Sequence, residues 1–210
     1  LLTGVNPAGC QVSSFKAPNA EELDHDFLWR ISRRLPERGR IGIFNRSHYE
    51  EVLVVRVHPE YLGGQRIPDA PELDRLFEER YESIRDFERH LARNGTVILK
   101  FWLNVGKDEQ RDRFLDRVDE PEATWKFTPG DVAERRLWAR YMAPSERAPN
   151  GWTRPWAPWS AIPADDKAYM RRVVADVFER TLRRIDPKFP TVSEKERAEM
   201  LALREELAGS

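Results

Sequence analysis

Apolar positions along the 210-residue chain form short continuous runs, separated by longer charged stretches with helical spacing. The first run is Gln11 to Phe15, closed by Lys16, Ala17 and Pro18. Asn19 then predicts a helix N-cap with Glu22 as its capping-box partner. Leu23, Phe27, Ile31 and Leu35 continue at helical spacing until Pro36 and Gly39 stop the helix. Ile41 to Phe44 is a second run, too apolar for an exposed strand. Val52 to Val57 reads as a third strand or as buried helix. Gly63, Gly64, Pro68 and Pro71 mark a loop. The helical period returns at Leu73, Leu76, Phe77, Ile84, Phe87 and Leu91 and ends at Asn94-Gly95. Thr96 to Leu103, rich in valine, isoleucine and aromatics, predicts a buried strand. Helices are expected over 107–118 and 135–142, a proline- and tryptophan-rich loop over 144–158, and a last strand over 159–163. Asp165 and Asp166 open a helix carrying Met170, Val173, Val174, Val177 and Leu182. A charged tail helix closes the chain over 194–207.

Continuously apolar strands alternating with helices predict a parallel sheet covered by helices on both faces, an α/β class. In such folds ligands bind beyond the carboxyl ends of the strands. That rule selects the residues after Phe15, Phe44 and Leu103.

Composition narrows the partners. Thirty-five basic residues against 36 acidic leave a net charge of −1, which argues against a general nucleic-acid coat protein. One cysteine excludes a disulfide framework and a cysteine-rich zinc site, and fits a reducing cytoplasm. No apolar run approaches the roughly 20 residues that span a bilayer. Of the basic residues 28 are arginine and 7 lysine, and arginine offers a planar fork for phosphate or carboxylate.

Three constellations could carry chemistry. Asn45-Arg46-Ser47-His48-Tyr49-Glu50-Glu51 follows a buried strand directly. There Arg46 can grip an anion, and Asn45 or Glu50 can hold hydrated magnesium or a nucleotide; a salt bridge between Arg46 and Glu50 is the structural alternative. Arg113 and Arg117 share a helix face, where like charges repel unless an anion sits between them. On spacing alone, such a charge run is a solvated face. Lys126, between Trp125 and Phe127, either closes on the same anion or sits in a packed turn. His25, His48, His58 and His90 lack metal-ligand spacing. Gly4 to Gly9 resembles the start of a phosphate loop, but Cys10 and Gln11 stand where lysine and serine or threonine are required.

Long strings of the chain resemble the second family of polyphosphate kinases. They are GVNPAGCQVSSFKAP (4–18), EELDHDFLWRISRRLP (21–36), IGIFNRSHYEEVLVVRVHPE (41–60), ILKFWLNVGKDEQRDRFLDRVDEPEATWKFTPGD (98–131) and WAPWSAIPADDKAYMRRVVADV (156–177). The resemblance implies a P-loop-kinase-like three-layer α/β/α domain over 1–190, with a mainly parallel sheet, a small helical lid over about 106–131, and a C-terminal helix or tail over 191–210. It implies Mg²⁺-assisted phosphoryl transfer between inorganic polyphosphate and nucleoside mono- and diphosphates, by a cytoplasmic homo-oligomer that binds neither membrane nor nucleic acid. The FNRSHYE form is similar to the subgroup that accepts both mono- and diphosphates. Carried over by position, Arg46, Arg113 and Arg117 are the expected catalytic residues. Asn45, Tyr49, Glu50 and Lys126 are expected to bind nucleotide or polyphosphate, and Asn45, Glu50 and Glu51 to hold magnesium. The family pattern also carries a first strand and a Walker A loop ahead of the segment matching Leu1. The expectation is a truncated chain, a misplaced start or further residues ahead of Leu1; without that strand the sheet would have a gap. Two alternatives share these residues: an ATP-dependent nucleotide kinase of similar fold, and a catalytically impaired polyphosphate- or nucleotide-binding subunit.

Overall fold

The computed structural model describes residues 5–68, 71–122, 124–142, 153–189 and 191–209. The expected loop over 144–158 lies outside the described residues as far as 152; from 153 it is a turn with an isolated bridge between Arg154 and Ala157. The chain divides into two compact units, Leu1–Val174 and Ala175–Ser210.

The first unit contains two parallel strand pairs. β1 (Cys10–Ser14) pairs with β2 (Ile41–Asn45), from Cys10 opposite Ile41 to Ser14 opposite Asn45. β3 (Lys100–Asn104) pairs with β4 (Trp159–Pro163), from Lys100 opposite Trp159 to Asn104 opposite Pro163. Among the described residues no ladder joins the pairs. The strands are less covered than their apolar sequences predict: Val12 is 64% exposed and Leu103 44%. Each strand of a two-stranded ladder has an open edge, so its side chains lack the neighbours a wider sheet supplies. The run expected from Thr96 enters its ladder only at Lys100, because β4 offers five residues to pair with.

Between β1 and β2 the single expected helix appears as two one-turn helices, α1 (Ala20–Leu23) and α2 (Trp29–Ser32). The capping box forms, with Glu22 N donating to Asn19 Oδ1 at 2.9 Å and Asn19 N to Glu22 Oε2 at 3.0 Å. The break falls where Asp26 Oδ1 accepts from Leu28 N at 2.9 Å, a side-chain turn that competes with the helical bond. Val52–Val57 belongs to a helix, α3 (Glu50–Val57), with the buried stripe Val52, Val55 and Val57. A 3₁₀ segment (Pro59–Gln65) leads on to α4 (Leu73–Arg93). Tyr49, Val52, Val55, Phe77 and Ile84 form the core between α3 and α4, with Phe77 and Val52 fully buried. Burying one such side chain contributes about 1.5–3 kcal/mol, which fixes the helix that starts at the end of β2.

After β3 come α5 (Lys107–Asp119), a 3₁₀ turn (Thr124–Lys126) and α6 (Pro129–Arg136). Residues 138–142 are also helical. α6 starts earlier than periodicity predicts, because the Asp131 carboxylate accepts from Thr128 N at 2.9 Å and closes a first turn at Pro129. β4 is followed by α7 (Lys167–Ile185), and α8 (Glu194–Gly209) is the expected tail helix. Asp166 caps α7 through Ala168 N and Tyr169 N. Asp165 has a different task at α5, described below.

Candidate active site

β2 ends at Asn45, which is exposed. Arg46 then takes a left-handed backbone, φ 64°. A non-glycine residue in that region costs on the order of 1–2 kcal/mol. The sharp turn lets Ser47–Tyr49 wind directly into α3. Arg46 Nε donates to the Glu50 carboxylate one turn on, while half of the arginine side chain stays in solvent. Among the described residues Glu50 is its one hydrogen-bond partner, so the fork retains free donors. Burial pushes the Glu50 carboxyl above its ordinary value, against the opposing pull of Arg46 and Arg30. A strand end thus presents an amide, a cation with spare donors and a carboxylate within one turn.

Tyr49 and Glu51 flank Glu50 in sequence but point inward, since adjacent helical side chains lie about 100° apart. Tyr49 is buried; its hydroxyl donates to Glu88 at 2.9 Å and accepts from Lys100 Nζ at 2.8 Å. Lys100 also pairs with both Glu88 oxygens at 2.8 and 3.0 Å. Burial pushes the Glu88 carboxyl up, but contacts from His48, Lys100 and Tyr49 outweigh it and hold the group below its ordinary value. Glu51 accepts from Gln65 Nε2 at 2.7 Å and from the buried Arg80 at 3.2 Å. Tyr49, expected as a nucleotide contact, and Glu51, expected as a magnesium ligand, thus both have their polar atoms engaged in the interior.

The second constellation follows β3. Gly106 caps α5, and its N–H donates to Asp165 Oδ1 at 2.6 Å. A side-chain carbon at Gly106 would stand 3.0 Å from the Asp165 carboxylate, so glycine fits this close approach. Arg113 Nε donates to Glu109 at 2.7 Å, and one terminal nitrogen donates to Ala164 O at 2.6 Å and Asp165 O at 3.0 Å. In this state Arg113 bolts α5 to the residues after β4. Arg117 lies over the Phe114 ring at 5.4 Å. The Lys126 side chain lies outside the described residues.

α6 links the two regions. Arg135 donates to Lys107 O at 2.5 Å and to Gln110 at 3.0 Å, both on α5. Its neighbour Glu134 reaches His58, the C-cap of α3, at 3.1 Å. A cleft of about 570 Å³ is walled by Arg30, Phe27, Glu51, Gln65 and Arg80. Arg30, on its wall, opposes the rise of the Glu50 carboxyl. Sequence reasoning passed over Arg30, Arg80, Glu88 and Lys100. For Glu88 a signal existed: it extends the buried series Phe77 and Ile84 at helical spacing, an acid on an apolar stripe.

In this parallel α/β chain, Arg46 thus stands at one strand end, and Arg113 and Arg117 stand on the helix after another strand. The sequence profile of the polyphosphate kinase 2 (PPK2) family matches residues 1–190, and the chain belongs to that family. Over 208 residues it is 50% identical to the ADP-polyphosphate phosphotransferase of Rhodopseudomonas palustris, spanning 99% of this chain and 72% of the relative. Over 198 residues it is 44% identical to the AMP/ADP-polyphosphate phosphotransferase of Meiothermus ruber, spanning 93% and 70%. The crystal structure of polyphosphate kinase 2 from Arthrobacter aurescens TC1 superposes with a TM-score of 0.82 at 38% identity, over 96% of this chain and 68% of that one. The P-loop-kinase-like α/β fold expected from the sequence is the fold observed.

Proposed function

We propose that the protein is a polyphosphate-dependent nucleotide kinase, moving phosphoryl groups between inorganic polyphosphate and nucleoside mono- and diphosphates such as AMP and ADP or GMP and GDP. The Arg46–Glu50 pair at the end of β2, within a chain of this family, carries the reading. Phosphoryl transfer asks for in-line placement and charge neutralisation, with little covalent work from protein.

The free donors of Arg46 grip the phosphate being transferred, and Glu50 fixes the guanidinium plane. Arg117, without a hydrogen-bond partner among the described residues, meets the phosphate chain from α5. Arg113, committed to Ala164 and Asp165, positions that helix. The cleft walled by Arg30 and Phe27 takes the nucleoside end of the acceptor, since its volume falls within the roughly 300–1,000 Å³ of small-ligand sites.

The donor set also suits a divalent cation. The Asn45 amide and Glu50 carboxylate are hard oxygens at one strand end, and magnesium is commonly held by one or two carboxylates with substrate phosphates and water. Glu51 does not fit, its carboxylate being taken by Arg80 and Gln65. Magnesium held by Asn45 and Glu50 would neutralise charge on the bridging phosphate oxygens.

The test is formation of nucleoside di- and triphosphate from AMP and ADP with polyphosphate and magnesium. Product with polyphosphate but none with ATP as donor to AMP is expected. Product from ATP alone would select the ATP-dependent kinase, and polyphosphate binding without turnover the impaired subunit.

A further inference from the structure

His58 lies outside the phosphate site, and both of its ring nitrogens face carboxylates. Nδ1 is 2.8 Å from Glu60 Oε1, and Nε2 is 3.1 Å from the Glu134 carboxylate of α6. Tyr61 stacks on the ring at 5.2 Å, and Tyr141 tilts against it at 6.4 Å. The Tyr141 hydroxyl donates to the same Glu134 carboxylate at 2.5 Å. The imidazole is 15% exposed. The groups facing this cluster are Glu60 and Tyr61 on the 3₁₀ segment, Glu134 on α6, and Arg140 and Tyr141 beyond it. Arg140 acts on Glu60, and Glu50 acts on Tyr141.

A neutral imidazole has one N–H and can donate to one of the two acids; its other nitrogen would turn a lone pair toward the second. Only the imidazolium satisfies both. The arrangement also reaches across the chain, joining residues 76 apart in sequence. At one end it holds the C-cap of α3, the eight-residue helix whose first residue, Glu50, pairs with Arg46. At the other it holds α6, whose next residue, Arg135, is bonded to α5.

We infer that His58 is a positioning residue: as the imidazolium it clamps α6 to the end of α3, and so holds the arginine helix α5 in register with the Arg46–Glu50 pair. This rests on the proposed role of α5 at the phosphates. Burial alone would depress the His58 pKa, yet Glu60 and Glu134 together raise it above the ordinary value. The sign follows. The clamp is complete below about pH 6.5, the ordinary histidine value, and is lost as pH rises through the raised folded value.

The test uses the full chain, wild type, His58→Gln, Glu134→Gln and the double variant. Hydrogen-exchange protection factors over 129–136 are measured between pH 6 and 9 without substrate. KM for polyphosphate and kcat are measured in parallel. In the wild type, α6 protection should fall roughly tenfold across the transition, the scale of one charge-assisted hydrogen bond. Each single variant should be low and flat with pH, and the double no lower than the singles. KM should rise with the loss of protection while kcat changes less. Full, pH-responsive α6 protection in His58→Gln, or additive losses in the double variant, would overturn the clamp. If the exchange pattern appears and no phosphotransfer is found, the clamp stands and the proposed function falls. Glu134→Gln keeps the histidine and serves as the second probe should His58→Gln fold poorly.

Discussion

Replacing Glu88 by glutamine isolates the buried network behind the site. The Glu88 side chain is 3% exposed and Lys100 7%, and they meet at 2.8 Å with the Tyr49 hydroxyl between them. Lys100 also lies over the rings of Tyr49 and Trp159, at 5.0 and 5.2 Å. The substitution preserves volume and removes the charge. Taking one partner from a buried pair costs about 3–5 kcal/mol, mainly because the other charge is left uncompensated. At roughly 2–4 °C per kcal/mol for a chain of this length, the melting point should drop by about 6–20 °C. Adding Lys100→Met to Glu88→Gln removes the stranded ammonium and should recover more than half of the loss.

The assay is urea unfolding followed by tryptophan fluorescence, for wild type, both single variants and the double. A second signature comes from pH. The folded Glu88 pKa is depressed, so its contribution is complete above the ordinary value of 4.5 and is lost as pH falls through the lower folded value. Wild-type stability should therefore decline on the acid side, and Glu88→Gln should show less of that decline. A cost below about 1 kcal/mol, or a double variant as unstable as the sum of the singles, would refute the uncompensated-charge argument, because strongly coupled partners are non-additive.

Other outcomes follow from single positions. Arg46→Gly should keep the melting point within a few degrees, since glycine accepts the left-handed backbone, while turnover with polyphosphate falls about 10²–10³-fold, the loss typical of removing one preorganised donor. Gly42→Ala should destabilise by about 1–3 kcal/mol in thermal melts, because its new carbon would stand 2.9 Å from Pro36 Cδ, in a ring that cannot swing aside. Polyphosphate affinity, measured by competition, should weaken steadily as salt rises from about 50 to 200 mM, since cations that meet a polyanion release its counterions.

The strands, the long α4 and the turn that ends β2 were legible because each rests on local pattern. The Ile41–Phe44 run, followed by Asn45 and Arg46, gives both a strand and the place where its exposed polar end begins. What the pattern missed depends on contacts distant in sequence. The break between α1 and α2 comes from Asp26 capturing Leu28 N, which competes with an otherwise regular helical series. The helical state of Val52–Val57 is decided by packing on Phe77 and Ile84, since short valine runs suit either state. The direction in which Tyr49 and Glu51 face is not in the sequence, because a motif names neighbours without saying which way each faces. The helix start at Glu50 resolves that by turning one residue out and two in.

Arginine shows most clearly where sequence reasoning stops. Arg46, Arg80, Arg113 and Arg117 are chemically the same fork, yet their tasks differ by how many donors the fold has already used. Arg80 is buried, with its donors spent on Glu51 and Gln65, so it braces the wall behind the site. Arg113 spends its Nε and one terminal nitrogen on α5 and on the residues after β4. Among the described residues Arg46 spends only Nε, on a carboxylate whose own burial leaves it a weaker acid than usual. A phosphate chain competes for whatever donors remain, so affinity for it should follow the unspent count. Removing Arg46 or Arg117 should act on phosphate binding and transfer, whereas removing Arg80 should act on folding. Arg113 should fall between them, losing transfer through misplacement of α5. A binding isotherm and a melting curve for each alanine variant separate these cases, and an Arg80→Ala protein that melts normally but fails to bind polyphosphate would break the donor-counting argument.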